Sequence, residues 1–481
     1  MHARVVLPVV GLLTAFSGLT MMLPAAVAAA YREPSALAIA IAALFTTLIG
    51  WLFYLRFGPV TEYSIRDGFA IVTFSWVAIA TFGSLPYLLS GAIPSFTGAF
   101  FETMAGLTTT GATVVTDIDQ LPRGILLWRS QTQWMGGMGI IVLTVAILPV
   151  VGIGGMQLLS AEIPGLTPDR LRPRVRQTAS LLWGVYVLFT TVEALLLWAG
   201  GMTLYESVNH AFTTMATGGF STENGSIGAF ESPFLHYVIA IFCILAGINF
   251  TLHYSWLTGR WRTVLRNREL RVYLMLVAGA TIALTLLVWL SGTVRGLEAS
   301  FRAGFFQTAS LMTTTGYATA DYEQWVAGAQ ILLLLLMLIG GCTASTSGSV
   351  KVLRYMLVAK QARIAMRKLL HPAGVFVTKI DGKTVSEDVL SNVSGFLLLY
   401  LGTFVAGTLV LAVLGLDALT AVGATAATLG NVGPGFGLVG PANTYATLPA
   451  GAHWTLSFLM LVGRLELFTV FVLFTRGFWR R

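Results

Sequence analysis

One polar, glycine-centred phrase is written twice in this chain, as GLTTTGATVV at 106–115 and LMTTTGYATA at 311–320, each time behind an apolar stretch. Placing Gly111 over Gly316 also sets Phe100, Phe101 and Thr103 over Phe305, Phe306 and Thr308, so the phrase closes a larger repeated unit. NHAFTTMATGGFST supplies a further unit, with Gly219, and TAVGATAATLGNVGPGFG a weaker one, with Gly433. The four glycines are 108, 97 and 117 residues apart. Each follows a short segment, about a dozen residues, too brief to cross the ~30 Å hydrocarbon layer of a membrane, and longer apolar segments flank each one.

A bilayer is the solvent this composition asks for: 56% of the 481 residues are hydrophobic and 10% charged, with a mean hydropathy of +0.78. The stretches Gly68–Ser90, Ile140–Gly155, Leu181–Trp198, Tyr237–Leu257, Tyr273–Leu290, Ile331–Gly340 and Gly395–Leu414 carry few or no charges. Most approach the ~20 residues that span hydrocarbon. The predicted fold is an all-α polytopic membrane protein. An N-terminal transmembrane hairpin at 1–57 precedes four pseudo-symmetric repeats of helix, half-crossing pore helix, polar loop and helix around a central pore. Their bounds are 58–160, 161–263, 264–370 and 391–481, with a cytoplasmic linker at 371–390. That makes roughly ten spanning and four re-entrant segments.

Residues 1–30 also have the outline of a signal peptide, Arg4 preceding an apolar run that ends in AAVAAA. A retained helix paired with Ala36–Leu55 uses the same residues without cleavage and is the expectation adopted. Cys243 and Cys342 lie in or beside apolar segments, which suggests neither a disulfide framework nor a metal cluster.

With both termini placed in the cytoplasm, 23 of the 29 basic residues fall in inner loops or ends, five (Arg32, Arg123, Arg129, Arg295, Arg302) fall outside, and Arg464 falls within a span. This is the positive-inside bias. The inner clusters are Arg170, Arg172, Arg174 and Arg176; then Arg260, Arg262, Arg266, Arg268 and Arg271; then a run from Lys351 to Lys383. Charges spread over short loops between spans read as an orientation signal, and no nucleic-acid partner is expected from the net charge of +8.

Non-helical backbone at membrane depth is tolerated only where protein buries it or water lines it, so four re-entrant loops should meet around one axis. Such a ring can turn backbone carbonyls inward to replace the hydration shell of a cation. Glycine accepts the φ angles this needs and leaves the lumen clear. The short helices would point their negative C-terminal ends at the axis. Asp117 and Asp119 after the first loop, Glu223 after the second, and Asp321 and Glu323 after the third give the outer mouth an acidic character.

These residues resemble the superfamily of K+ transporters that comprises Trk and Ktr pore subunits and the plant HKT proteins. The motifs are TTTGATVV at 108–115, ATGGFST at 216–222, TTTGYAT at 313–319, NVGPGFG at 431–437 and GGCTASTSGSVKVLR at 340–354. The resemblance covers essentially the whole chain, and the N-terminal hairpin resembles the bacterial Trk branch more than the Ktr branch. It implies a selectivity filter formed by Thr109, Thr110 and Gly111; Thr217, Gly218 and Gly219; Thr314, Thr315 and Gly316; and Asn431, Val432 and Gly433. With glycine at all four positions, and not the serine that accompanies sodium preference in some plant members, it implies K+ selectivity. The fourth loop departs from the threonine pattern, so side chains cannot be fourfold symmetric although the carbonyls can be nearly so.

The segment GCTASTSGSVK interrupts a run of apolar residues and disfavours a continuous helix. The resemblance identifies it as an intramembrane gating loop, 340–351, with Gly340, Gly341, Gly348 and Lys351 as the gating positions, and expects a mobile polar segment across the ion path. A small-residue face for helix packing is the alternative. Arg464, in LSFLMLVGRLELFTVFVLF, must face the lumen or a buried partner, because an arginine at a helix centre costs at least ~2.5–3.5 kcal/mol. The resemblance puts it below the filter as a gating residue. A salt bridge to Glu466 is the competing reading, disfavoured because residues two apart on a helix do not face each other. Glu193 is the other intramembrane charge, expected in a packed or dimer-facing ion pair. The six histidines have no metal-ligand spacing. Asp381-Gly382 signals a hairpin turn in the cytoplasmic stretch after His371.

The resemblance further implies a homodimer, a bacterial inner-membrane location and a cytosolic TrkA-type ring of nucleotide-binding (NAD/ATP) regulatory subunits. This chain has no P-loop or complete GxGxxG of its own. No cofactor is expected; K+ is the transported ion, met only at the filter residues. The expected function is the pore-forming subunit of a Trk-type potassium uptake system passing K+ and Rb+ down the electrochemical gradient. An Na+- or H+-coupled potassium symporter of the same fold is the alternative. An enzyme is not expected, since no convergent catalytic set is evident.

Overall fold

The computed structural model describes residues 3–58, 64–146 and 171–480, without the side chains of 3, 65, 142–146, 171–176 and 383. The later part of the Ile140–Gly155 stretch, the boundary at 160 and Arg170 therefore lie outside the described residues, as do the side chains of Arg172, Arg174 and Arg176.

Ala3–Thr20 and Met22–Ala30 run up to a turn and Ser35–Phe57 returns, forming the N-terminal hairpin. Gly11 and Gly50 let the two backbones touch: a Cβ on Gly11 would come within 2.7 Å of the Gly50 carbonyl. This is the small-residue packing that replaces the hydrophobic effect between helices in lipid. The outer faces are apolar and open, Leu37 being 71% exposed and Leu398 76%, as lipid-facing surfaces are.

Among the described residues six helices are long and apolar enough to cross a membrane, or eight if two bent pairs each count as one span. The bent pairs depart from the continuous helices expected of those runs. Pro233–Ala246 and Phe250–Leu257 meet at 102°, and Ala450–Arg464 and Phe468–Phe474 at 111°. Backbone groups freed by the first break are taken up by the 340–351 segment: Cys342 N–H donates to Gly247 O at 2.8 Å and Phe250 N–H to Ala344 O at 3.1 Å. The second break has left-handed residues at Glu466 (φ 60°) and Leu467 (φ 29°).

Four short helices sit inside this shell: Phe96–Leu107, Leu204–Met215, Leu297–Met312 and Ala418–Leu429. Three start on side-chain caps. Ser95 accepts from Gly98 N–H, Thr203 forms a capping box with Glu206, and Asp417 accepts from Thr420 N–H. The Asp381-Gly382 turn joins Lys379–Ile380 to Lys383–Thr384 as an antiparallel hairpin, with positive φ at both turn residues, 48° and 81°, as a type I′ turn requires.

Candidate functional site: a ring of four glycine loops

Each short helix ends in the same way. The residue two before the glycine is left-handed: Thr109 (φ 51°), Thr217 (54°), Thr314 (60°) and Asn431 (55°). The glycines follow at 80°, 78°, 83° and 102°. The residue between them donates its N–H to the carbonyl five back: Thr110 to Ala105 (2.8 Å), Gly218 to Thr213 (2.8 Å), Thr315 to Ser310 (2.8 Å) and Val432 to Ala427 (2.7 Å). This is a Schellman cap whose usual glycine is replaced by threonine or asparagine. A left-handed β-branched residue is a genuine backbone outlier, and such strain concentrates at functional sites.

The four loops close on one another in chain order. A Cβ added to Gly111 would strike the carbonyl oxygen of Gly218, one on Gly219 that of Thr315, one on Gly316 that of Val432, and one on Gly433 that of Thr110, in every case at 2.5 Å or less. Each glycine thus abuts the carbonyl preceding the next glycine, around a complete circle. All four glycines line one outward cavity together with Glu223, Asn224 and Pro434. Side chains differ where the sequence differs. Thr108 and Thr110 share a hydroxyl bond of 2.8 Å, as do Thr313 and Thr315, whereas Asn431 Nδ2 reaches across to Thr110 Oγ1 at 3.0 Å and to Met460 O at 2.9 Å.

Struts behind the ring occupy one register, nine residues before each glycine. Glu102, fully buried, accepts from Thr113 Oγ1 (2.9 Å), Val114 N–H (2.9 Å) and Arg129 Nε (2.9 Å). His210 Nε2 lies 3.0 Å from Ser221 Oγ, and Gln307 Oε1 accepts from Thr319 N–H at 3.3 Å. The fourth loop has Ala424 there and is held instead by Tyr445 Oη donating to Gly433 O at 2.7 Å. Arg129 is thus no outer-loop residue: it is 1% exposed, donates to Ser221 O at 3.2 Å and covers the Phe220 ring at 4.1 Å. Sequence reasoning missed this set, although charges inside apolar helices were a usable signal.

At the mouth, Asn224 joins the first two loops by bonding Ile118 N–H, Asp117 and Asp119. Glu323 accepts from Gly437 N–H at 2.6 Å, so it ties the fourth loop. Burial, and then the neighbouring charge of Asp119, raises the Glu223 carboxyl above its ordinary range.

Below the ring, the helix Ala327–Met337 stops and the next starts at Val352. The intervening loop has left-handed Ala344 (φ 59°) and Ser349 (φ 53°). Gly348 N–H donates to Thr314 Oγ1 at 2.6 Å, and Thr346 Oγ1 donates to Met215 O at 3.1 Å. Gly340 packs on the Gly348 carbonyl, Gly341 on the Gly247 carbonyl and Gly348 on the Gly430 carbonyl, with no room for a Cβ at any of the three. Lys351 Nζ bonds Ser347 O. Arg464 ends the helix Ala450–Arg464, at the break before Phe468–Phe474 and not inside one continuous helix. Its Nη1 donates to Thr346 O at 2.6 Å, while Nε and Nη2 have no hydrogen-bond partner among the described residues. Glu466 pairs with Arg354, whose guanidinium also covers Phe396 at 3.8 Å. Glu193 is fully buried within the chain and makes no ion pair among the described residues, so the packed ion pair expected for it is not found there.

Fold and site together define a polytopic α-helical membrane protein with four re-entrant helix–loop units gathered on one axis. A family model described as "TrkH: Cation transport protein" matches residues 35–479. The chain belongs to this TrkH family of membrane transporters. It is 40% identical to the "Trk system potassium uptake protein TrkH" of Salmonella typhimurium and to that of Escherichia coli K12, over 484 residues and 100% of both chains in each case. It also matches the crystal structure of the potassium transporter TrkH from Vibrio parahaemolyticus, with 36% identity, a TM-score of 0.91 and 100% of both chains covered.

Proposed function

We propose that this chain is the pore-forming subunit of a Trk-type potassium uptake system, passing K+ and Rb+ passively down their electrochemical gradient. The observation that carries the reading is the closed circle in which each of Gly111, Gly219, Gly316 and Gly433 abuts the carbonyl before the next. A dehydrated monovalent cation needs a ring of oxygens to replace its hydration shell, and the four helix C-termini add negative potential behind them. The potassium uptake proteins it is similar to agree with potassium as the ion.

The filter comprises Thr109, Thr110 and Gly111 with their counterparts in the other three loops, and no chemistry is catalysed. The 340–351 loop is the gate, held by Gly340, Gly341, Gly348 and Lys351, with the charge of Arg464 opposing cations when it is shut. The chain works as a homodimer in a bacterial inner membrane, both termini cytoplasmic, on a TrkA-type nucleotide-binding ring docked near the Lys379–Thr384 hairpin. Flux of K+, Rb+ and Na+ into liposomes holding the purified protein tests this reading: K+ and Rb+ pass, and Na+ is discriminated against.

A further inference from the structure

We infer that Gln133 is the positioning residue that fixes the second of the four ring carbonyls and thereby sets how strictly the ring discriminates between cations. This rests on the reading of the ring as the ion filter. Gln133 lies on the helix Arg123–Ala146, fully buried. Its amide spans Gly219: Nε2 donates to Gly218 O at 2.7 Å and Oε1 accepts from Phe220 N–H at 3.1 Å. Arg129, one turn earlier on the same face, holds Ser221 O. One helix face therefore grips the second loop from residue 218 to 221.

This grip belongs to one loop. Among the described residues no side chain donates to the equivalent carbonyls of Thr110, Thr315 or Val432. It also accounts for the glycine that replaces threonine or valine at 218, since a Cβ there would collide with the Gln133 amide carbon. The second loop has exchanged a threonine, whose hydroxyl braces its own loop in the first and third copies, for an amide brought in from a neighbouring helix. A carbonyl that accepts a hydrogen bond is restrained in direction, and it shares its electron density between the donor and the passing ion. Released, it can swing inward toward a smaller cation, so selectivity and not only throughput depends on Gln133.

The test is flux of K+, Rb+ and Na+ through purified full-length protein in liposomes, comparing wild type with Gln133→Met, which keeps length and apolar bulk but cannot donate. The K+/Na+ ratio is expected to fall about tenfold, the factor matching the loss of one hydrogen bond, through a rise in Na+ flux. A merely structural role would lower both fluxes together and leave the ratio alone. Gly218→Ala gives a second reading: it should abolish flux alone and regain K+ flux when combined with Gln133→Ala, with the ratio still reduced. An unchanged ratio in Gln133→Met, or a double variant as inactive as Gly218→Ala, overturns the inference while a discriminating wild type keeps the filter reading. Equal Na+ and K+ flux through the wild type removes the filter reading itself.

Discussion

Thr314 Oγ1 accepts the amide of Gly348 at 2.6 Å, so the loop below the pore is bonded directly to the underside of the third glycine turn. Thr314 is also one of the four strained left-handed residues. The loop thus rests on a turn whose geometry the ring itself maintains; on the proposed reading of loop as gate and ring as filter, this hydrogen bond joins the two.

Thr314→Val keeps the volume and the β-branch but removes the acceptor. A buried N–H left unsatisfied costs about 1–3 kcal/mol, here charged to the closed loop. Basal K+ flux without regulatory subunits should rise by about tenfold for each 1.4 kcal/mol, measured in liposomes. Flux at the wild-type level would separate gate from filter.

Arg464 has a guanidinium beside the loop, two of whose nitrogens have no hydrogen-bond partner among the described residues. A unit charge 4–8 Å from a cation's path opposes it by roughly 2–4 kcal/mol at an effective dielectric of ~20. Arg464→Gln should raise basal flux at least about tenfold. A decrease, in protein that folds normally, would assign the arginine to packing alone.

The Glu102–Arg129 pair is fully buried behind the first two loops. Arg129→Met leaves a buried carboxylate without its cation, at a cost of about 3–5 kcal/mol, and should lower the thermal midpoint in detergent by several degrees. Adding Glu102→Gln should recover part of that loss, because the orphaned charge is gone.

Glu223 lines the outer cavity, with its carboxyl raised by burial, the charge of Asp119 and, beyond it, that of Glu206. A raised carboxyl takes its proton at a higher pH than an ordinary one, so the mouth loses this negative charge early as the outside is acidified. The apparent KM for K+ should therefore increase on mild acidification. Glu223→Gln should start with the higher KM and show a flatter pH profile.

The sequence carried the number of loops, their glycines and the break in the third repeat, because each rests on local chemistry: a φ only glycine accepts easily, or a polar run too rich in glycine and serine for a helix. The order in which loops touch was not legible. Asn431 meets Thr110 across 321 residues of chain, and nothing near either residue announces it. The bend after Arg464 was hidden for a different reason: Glu466 and Leu467 turn left-handed without a glycine or proline to mark the place. That bend frees Glu466 for Arg354, a pairing that a straight helix would not allow. Gln133 stands in the polar run RSQTQ at 129–133, which announces buried polar contacts without saying that the second loop is what they reach.

Ion selection by the ring is probed at Gly316, whose φ of 83° and contact with the Val432 carbonyl leave no place for a side chain. A left-handed non-glycine residue costs about 1–2 kcal/mol before any clash is counted. K+ and Na+ fluxes should be compared in liposomes for wild type and Gly316→Ser. K+ flux far above Na+ is expected for the wild type and a collapsed ratio for the variant; the same ratio in both would mean that the glycine ring does not select the ion.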